Sequence, residues 1–249
     1  MLPLKQRRHG PSATTRHPRG TRHAHRGVLT GALALGAAAY QDVGMIQKND
    51  VIVFQGDSVT DCGRNAYPSE LGHGYVFMVA GRLMANRPGF NLTIFNRGVS
   101  GNRTKDLLAR WDADCIDLKP TVLSILIGIN NTWRRYDSAD PTDTETYYDE
   151  YKRLLSRARD AGVREIVMLE PFLLPVPEDR RSWREDLDPK INACRDLASE
   201  FGCTYIPLDG IFNAAAAKTG GAYWAADGVH PSVAGHGLIA EQWMRAAVG

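Results

Sequence analysis

The stretch VIVFQGDSVTD (residues 51–61) sets an unbroken apolar run directly against a glycine, an aspartate and a serine. Val51, Ile52, Val53 and Phe54 show no polar alternation, the pattern of a strand buried on both faces of a parallel sheet. Four more runs have this character, at residues 92–95, 122–127, 165–169 and 204–206. Between and after them, apolar residues recur at helical spacing over 76–84, 104–118, 146–161, 191–201 and 233–248. Alternation of this kind predicts an α/β protein, a three-layer α/β/α sandwich with a five-stranded, mostly parallel sheet. Ligands of such sheets bind beyond the carboxyl ends of the strands, where Ser58 would stand.

Local signals fix some boundaries. Gly162 is placed to end the fourth strand's preceding helix as a C′ glycine, and Pro189, after Asp188, to open the next helix at its first position. The segment PFLLPVPEDRRSW (residues 171–183) holds three prolines and a charged run. It predicts a long, partly rigid loop that borders the pocket and stays out of the core.

At 249 residues the chain has room for one domain with a full core, and 43% hydrophobic with 23% charged residues excludes a disordered or polytopic membrane protein. The net charge of +2 conceals an asymmetry. Residues 1–27 carry seven Lys and Arg (Lys5, Arg7, Arg8, Arg16, Arg19, Arg22, Arg26) and no acid, which leaves 23 basic and 28 acidic side chains, net −5, in the remainder. A mildly acidic body of this kind argues against a nucleic-acid surface. The basic tail runs into GVLTGALALGAAA (residues 27–39), too short to span a bilayer but laid out like an export signal, with Tyr40 opening the mature chain. The expected organisation is a leader at 1–44 and a single domain at 45–249, periplasmic or secreted. A disordered leader on a cytoplasmic protein, with Met45 beside the folded region, is the alternative.

Cys62, Cys115, Cys194 and Cys203 have neither C-x-x-C nor metal-type spacing, so no metal site is expected; Cys194 and Cys203 could pair in an oxidising compartment. No phosphate loop or dinucleotide fingerprint calls for a cofactor.

A serine hydroxyl becomes a useful nucleophile only beside a base that is itself oriented. The segment ADGVHP (residues 226–231) supplies Asp227 and His230 three residues apart in a Gly/Pro-bounded loop, a spacing that lets the carboxylate hold one imidazole nitrogen while the other faces outward. Beyond the tail the other histidines, His73 and His236, have no aspartate so placed. An acyl-transfer site also needs oxyanion donors. Gly101, in NRGVSGNRT after the second strand, offers a backbone N–H; Asn130, in IGINNTW after the third, offers a side-chain amide; the Ser58 N–H is a third. Asp57 and Asp61 are read as structural acceptors for loop N–H groups. Trp133, Arg134 and Tyr136 suit the wall of a sugar site or a contact with a neighbouring subunit in a homo-oligomer, and Arg103 suits an outward salt bridge or substrate contact.

The ordered set GDSVTD, NRGVSGN, GINN and DGVHP resembles the four sequence blocks of the SGNH (GDSL-type) hydrolases, from about residue 51 to the C-terminus. The resemblance implies Ser58 as nucleophile, Gly101 and Asn130 as oxyanion donors with the Ser58 N–H, Asp227 as orienting acid and His230 as base. The fuller stretches GDSVTDCGR, LGHGYVFMV, SGNRTKDLLARW, LIGINNTWRRYD and HPSVAGH are similar to the acetylxylan-esterase branch. They imply a serine esterase removing O-acetyl groups from xylo-oligosaccharides or related carbohydrates, without a cofactor, nucleic acid or membrane span. A lipase, lysophospholipase or arylesterase of the same family would instead show a long apolar acyl channel, for which FLLPV (residues 172–176) is available; a carbohydrate-binding pseudoenzyme would have lost a triad member. Two positions depart from the family pattern. Asn131 stands where Asp is usual after the oxyanion Asn, and Ala226 where Trp often precedes the catalytic Asp, so that an aromatic pocket wall is missing or supplied by Trp224.

Overall fold

The computed structural model describes residues 44–66 and 68–248, which fall in one compact unit. The basic leader, the export segment and the boundary at Tyr40 lie outside the described residues. Five strands, β1 (Val51–Gly56), β2 (Thr93–Gly98), β3 (Val122–Leu126), β4 (Glu165–Leu169) and β5 (Thr204–Ile206), form one sheet in the order β2-β1-β3-β4-β5. Every pairing is parallel. Ten α-helices connect or follow the strands: α1 (Ser58–Asp61), α2 (Tyr75–Asn86), α3 (Thr104–Ala109), α4 (Trp111–Asp114), α5 (Ile129–Asp137), α6 (Thr144–Asp160), α7 (Arg184–Glu200), α8 (Leu208–Thr219), α9 (Gly221–Trp224) and α10 (Val233–Val248).

The apolar runs sort by the period-2 geometry of a strand. Val122 and Leu126 of β3, with Val167 and Leu169 of β4, enter a core layer with Ile52, Phe54 and residues of α2, α8 and α10. Leu123, Ile125, Ile166 and Met168 enter the opposite layer with Leu107, Trp111 and the apolar stripes of α6 and α7. Both faces being covered is why these strands read as continuous hydrophobic runs. Within the first layer the Trp243 indole N–H donates to Ser124 Oγ at 3.0 Å. No helix among the described residues is long and apolar enough to cross a membrane.

Several expectations need correction. The helix expected over 104–118 is broken at Arg110 (φ −116°, ψ 9°) into α3, α4 and a 3₁₀ turn at Ile116–Leu118. Pro189 lies inside α7 and does not open it. The helix starts at Arg184 because Trp183, Leu187 and Ile191 bury together against Ile129 and Val229, and that burial outweighs the hydrogen bond the proline ring forfeits. Residues 171–183 are not excluded from the core either: Phe172 and Leu174 are buried in the first layer, while Leu173 and Trp183 anchor a third cluster. Cys194 and Cys203 do not pair; all four cysteines are free, and Cys194 is buried with its Sγ 3.0 Å from the Tyr147 hydroxyl. The short α1, α5, α8 and α9 were not foreseen. Gly162 does follow α6 with φ +86°, as a C′ glycine should.

The seating of α1 on β2 depends on Gly98. A Cβ there would stand 2.2 Å from the Asp61 nitrogen and 2.8 Å from the Thr60 carbonyl carbon, so α1 would have to move. Gly98→Ala is expected to lower the unfolding free energy by about 1–3 kcal/mol or more, read as a lowered denaturant midpoint, and to displace the serine that α1 carries.

Candidate active site

The strand register brings the site loops to one level. Gly56, the last residue of β1, pairs with Gly98 of β2 and Leu126 of β3, so the chain after each of these strands leaves the sheet at the same height. From β1 it enters α1, whose N-cap Asp57 accepts the Val59 N–H at 3.0 Å and so turns Ser58 outward. Asp57 is 1% exposed, and burial pushes its carboxyl up to about 6. Asp61 accepts from the Arg64 N–H and from the N–H and hydroxyl of Ser100, tying α1 to the loop after β2. Asp57 thus caps α1, while Asp61 accepts N–H groups of the segments that follow α1 and β2.

His230 meets Ser58 across 172 residues of chain, with Ser58 Oγ 2.8 Å from Nε2. Asp227 Oδ2 lies 2.6 Å from Nδ1 of the same ring, and Asp227 Oδ1 accepts the N–H groups of His230 and Val229 at 2.7 and 3.0 Å. A carboxylate on Nδ1 places the neutral ring's proton there and leaves Nε2 to accept from the Ser58 hydroxyl. The hydrogen bond that Nδ1 donates to Asp227 lifts His230 above its ordinary value against its partial burial. The bonds from His230 and Val229 hold Asp227 well below the usual carboxylate range although burial opposes them.

Asn130, in the first turn of α5, is buried and its Nδ2 donates to the Asn102 carbonyl at 3.2 Å. An amide carries two hydrogens, so one remains for another acceptor. Gly101 adopts φ +83° in the loop after β2, a conformation that favours glycine. Asn131, where a carboxylate was expected, accepts the Thr104 N–H at 3.2 Å and donates to Thr104 Oγ1 at 2.8 Å; Thr104 in turn donates to Glu150. The amide therefore bonds both ways, and the charge sits one residue further on.

Of the substrate-contact candidates, Trp133 packs beside His230 with ring centroids 5.8 Å apart. Tyr136 stacks on Trp183 at 5.0 Å and 8°, and its hydroxyl donates to the Ser182 carbonyl. Arg103 is held by Asp106 and Asp140. Trp224 turns to α8, its indole N–H donating to Thr219 Oγ1 at 2.7 Å. The residues not singled out from sequence are Trp183 and Arg180, whose guanidinium lies 5.4 Å over Trp133 and 4.1 Å over Trp183. The signal for them was the RRSW run closing the proline-rich segment. His236, by contrast, is buried at 6% exposure, accepts the Tyr75 N–H through Nδ1 and stands 3.4 Å from Cys62 Sγ through Nε2, with burial pushing it down to about 4. It stitches α10 to α2 and the end of α1. Among the described residues no cluster of three His, Cys, Asp or Glu could hold a metal.

The profile of the GDSL-like Lipase/Acylhydrolase family matches residues 54–238. An acetylxylan esterase of Geobacillus stearothermophilus is 36% identical over 208 residues, 80% of this chain and 94% of that protein. Its crystal structure superimposes with a TM-score of 0.73 at 34% identity, over 81% of this chain and 95% of its own. Catalytic mutants of that esterase replace an aspartate, a serine and a histidine by alanine. A GDSL-like lipase from Parabacteroides merdae gives a TM-score of 0.76 at 36% identity, over 82% of this chain and 98% of its own.

A general base accepts a proton only on an unprotonated nitrogen, so with His230 in that role kcat/KM would fall as pH drops through its raised value, with the acid limb above the ordinary 6.5. Asp227→Asn should move that limb to lower pH, because the raising charge is gone, and should reduce the plateau by about 10⁴ because the ring loses its tautomer. A pH–rate profile of both proteins checks this.

Proposed function

Because the chain belongs to the GDSL-like lipase/acylhydrolase family and is a carboxylic ester hydrolase, we propose that Ser58, His230 and Asp227 form its catalytic triad and that it removes O-acetyl groups from xylo-oligosaccharides or related carbohydrates. The observation that carries this reading is the continuous run from Ser58 Oγ to His230 Nε2 at 2.8 Å and from His230 Nδ1 to Asp227 at 2.6 Å. Ser58 Oγ attacks the acetyl carbonyl carbon as its proton passes to His230 Nε2. The oxyanion is met by the second hydrogen of the Asn130 amide and by the N–H groups of Gly101 and Ser58. Collapse breaks the ester bond, and His230 returns the proton to the departing sugar hydroxyl. Water, deprotonated by His230, then attacks the acetyl carbon; the bond to Ser58 Oγ breaks, acetate leaves, and His230 returns the proton to Ser58 Oγ.

One feature supports a small acyl group. Phe172 and Leu174 of the proline-rich segment are buried in the core, where they cannot wall an open channel. For the sugar, the half-exposed Trp133 beside His230, backed by Tyr136, Trp183 and Arg180, offers an aromatic face. Residues 1–39, basic and then apolar, have the layout of an export leader, with Tyr40 opening the mature chain.

Rates on aryl esters of increasing acyl length and on acetylated xylo-oligosaccharide should favour acetyl, and Ser58→Ala should lose about 10⁶ in kcat; preference for long chains would overturn the acetyl assignment. Asn130→Ala should lower kcat by about 10²–10³, or roughly 2.7–4 kcal/mol, with KM little changed, since the donated bond is made fully only to the oxyanion. A structural Asn130 would instead lower the unfolding midpoint and leave kcat of the folded protein intact.

A further inference from the structure

Arg110 sits where the expected long helix breaks, and its guanidinium bonds to the ends of β1 and β2, to the loop after β2 and to α4. Nε donates to Asn102 Oδ1 at 2.7 Å. Nη1 donates to the Arg97 carbonyl at 2.8 Å and to Asp114 Oδ2 at 2.9 Å. Nη2 donates to the Gly56 carbonyl at 3.3 Å. Arg97 lies one residue before the end of β2, and Gly56 is the end of β1, two residues before Ser58. Asn102 follows Gly101, and its carbonyl is the acceptor of Asn130 Nδ2 at 3.2 Å.

We propose that Arg110 is the positioning residue of the oxyanion hole: through Asn102 it fixes the loop that carries the Gly101 N–H and orients the Asn130 amide, holding both in register with the serine at the end of β1. This rests on the assignment of Asn130 and Gly101 as oxyanion donors. The physical case is one of geometry. Asn102 is bonded at both ends, its side chain by Arg110 and its carbonyl by Asn130, while its own N–H closes a turn onto the Val99 carbonyl at 3.2 Å. Val99 in turn donates to the same Gly56 carbonyl that Arg110 reaches. One Asn130 hydrogen is thus committed to Asn102, and the direction of the other follows because the amide is planar. A displacement of Asn102 rotates the donor, and a misplacement of about 1 Å is enough to cost about 10²-fold in rate. Only a planar fork with five donors can hold an amide oxygen, two carbonyls and a carboxylate at once; lysine, a point charge with three donors, cannot.

The test uses Arg110→Lys, Asn102→Ala, Asn130→Ala and the two double variants with Asn130→Ala, measured for kcat and KM on an aryl acetate, for inhibition by methylboronic acid, which forms a tetrahedral adduct on serine, and for unfolding midpoint. Arg110→Lys should lower kcat by about 10- to 100-fold with KM little changed and weaken methylboronic acid by a like factor. Asn102→Ala cuts only the Arg110 bond to that loop and should act in the same direction, which keeps the test decisive where Arg110→Lys fails to fold. Both effects should shrink in the Asn130→Ala background, because the part that acts through the Asn130 amide is gone and only the part that acts through the Gly101 N–H remains. Undiminished effects in that background, a loss confined to KM, or a lowered midpoint with kcat unchanged would overturn the role of Arg110. A single Asn130→Ala variant with wild-type kcat would instead overturn the oxyanion assignment beneath it, and Arg110 with it.

Discussion

The register of the parallel sheet is the constraint on which everything else depends. Gly56, Gly98, Leu126, Leu169 and Ile206 lie in one row across the five strands, so five connections begin at a common level. With the order β2-β1-β3-β4-β5, the chain direction reverses on either side of β1, and the loops after β1 and β3 splay apart to leave a crevice. Ser58 follows the first and Asn130 the second. A slip of one residue in β1 would exchange the faces of Ile52 and Phe54 for those of Val53 and Gln55 and bury a polar side chain in the wrong layer.

Behind the crevice, side chains hold the loops by satisfying backbone groups that a buried turn would otherwise leave bare. Asn96 of β2, 1% exposed, donates to the Thr60 and Leu71 carbonyls and accepts the Gly98 N–H. Glu170, fully buried after β4, accepts from Arg195, Tyr205 and the Asp209 N–H. Asp209 then accepts the Leu173 N–H and a two-pronged bond from Arg184. Each of these groups would cost about 1–3 kcal/mol if left unpaired. Their joint effect is to hold the loops around Ser58 and His230, which stand within hydrogen-bond reach of one another.

The two departures from the family pattern are absorbed differently. At Asn131 the bond pattern survives, since the amide both accepts from and donates to Thr104 and the negative charge is supplied from α6 by Glu150. At Ala226 the aromatic is not replaced by Trp224, which is committed to Thr219 and Tyr223. The aromatic surface lies on the other side of His230, where α5 and the turn before α7 bring Trp133, Tyr136 and Trp183 together.

All five strands, the layer architecture and the residues brought together at Ser58, His230 and Asp227 were legible in the chain, because strands buried on both faces leave unbroken apolar runs and because an aspartate three residues from a histidine in a constrained loop has few other geometries. Asp57 and Asp61 were legible as acceptors of nearby N–H groups for the same local reason, although Asp57 caps a helix and not a loop. What the sequence left undetermined depends on contacts between distant segments. The break at Arg110 is invisible to periodicity, since its cause is a set of carbonyls from β1 and β2. Pro189 reads as a helix start until the burial of Trp183 and Leu187 carries α7 past it. Phe172 and Leu174 read as a loop because prolines flank them, and only the tertiary structure shows the pocket between α8 and the sheet that takes them in. Local chemistry is written in neighbouring residues; which distant groups will satisfy a carbonyl or cover a ring is decided only when the chain has closed on itself.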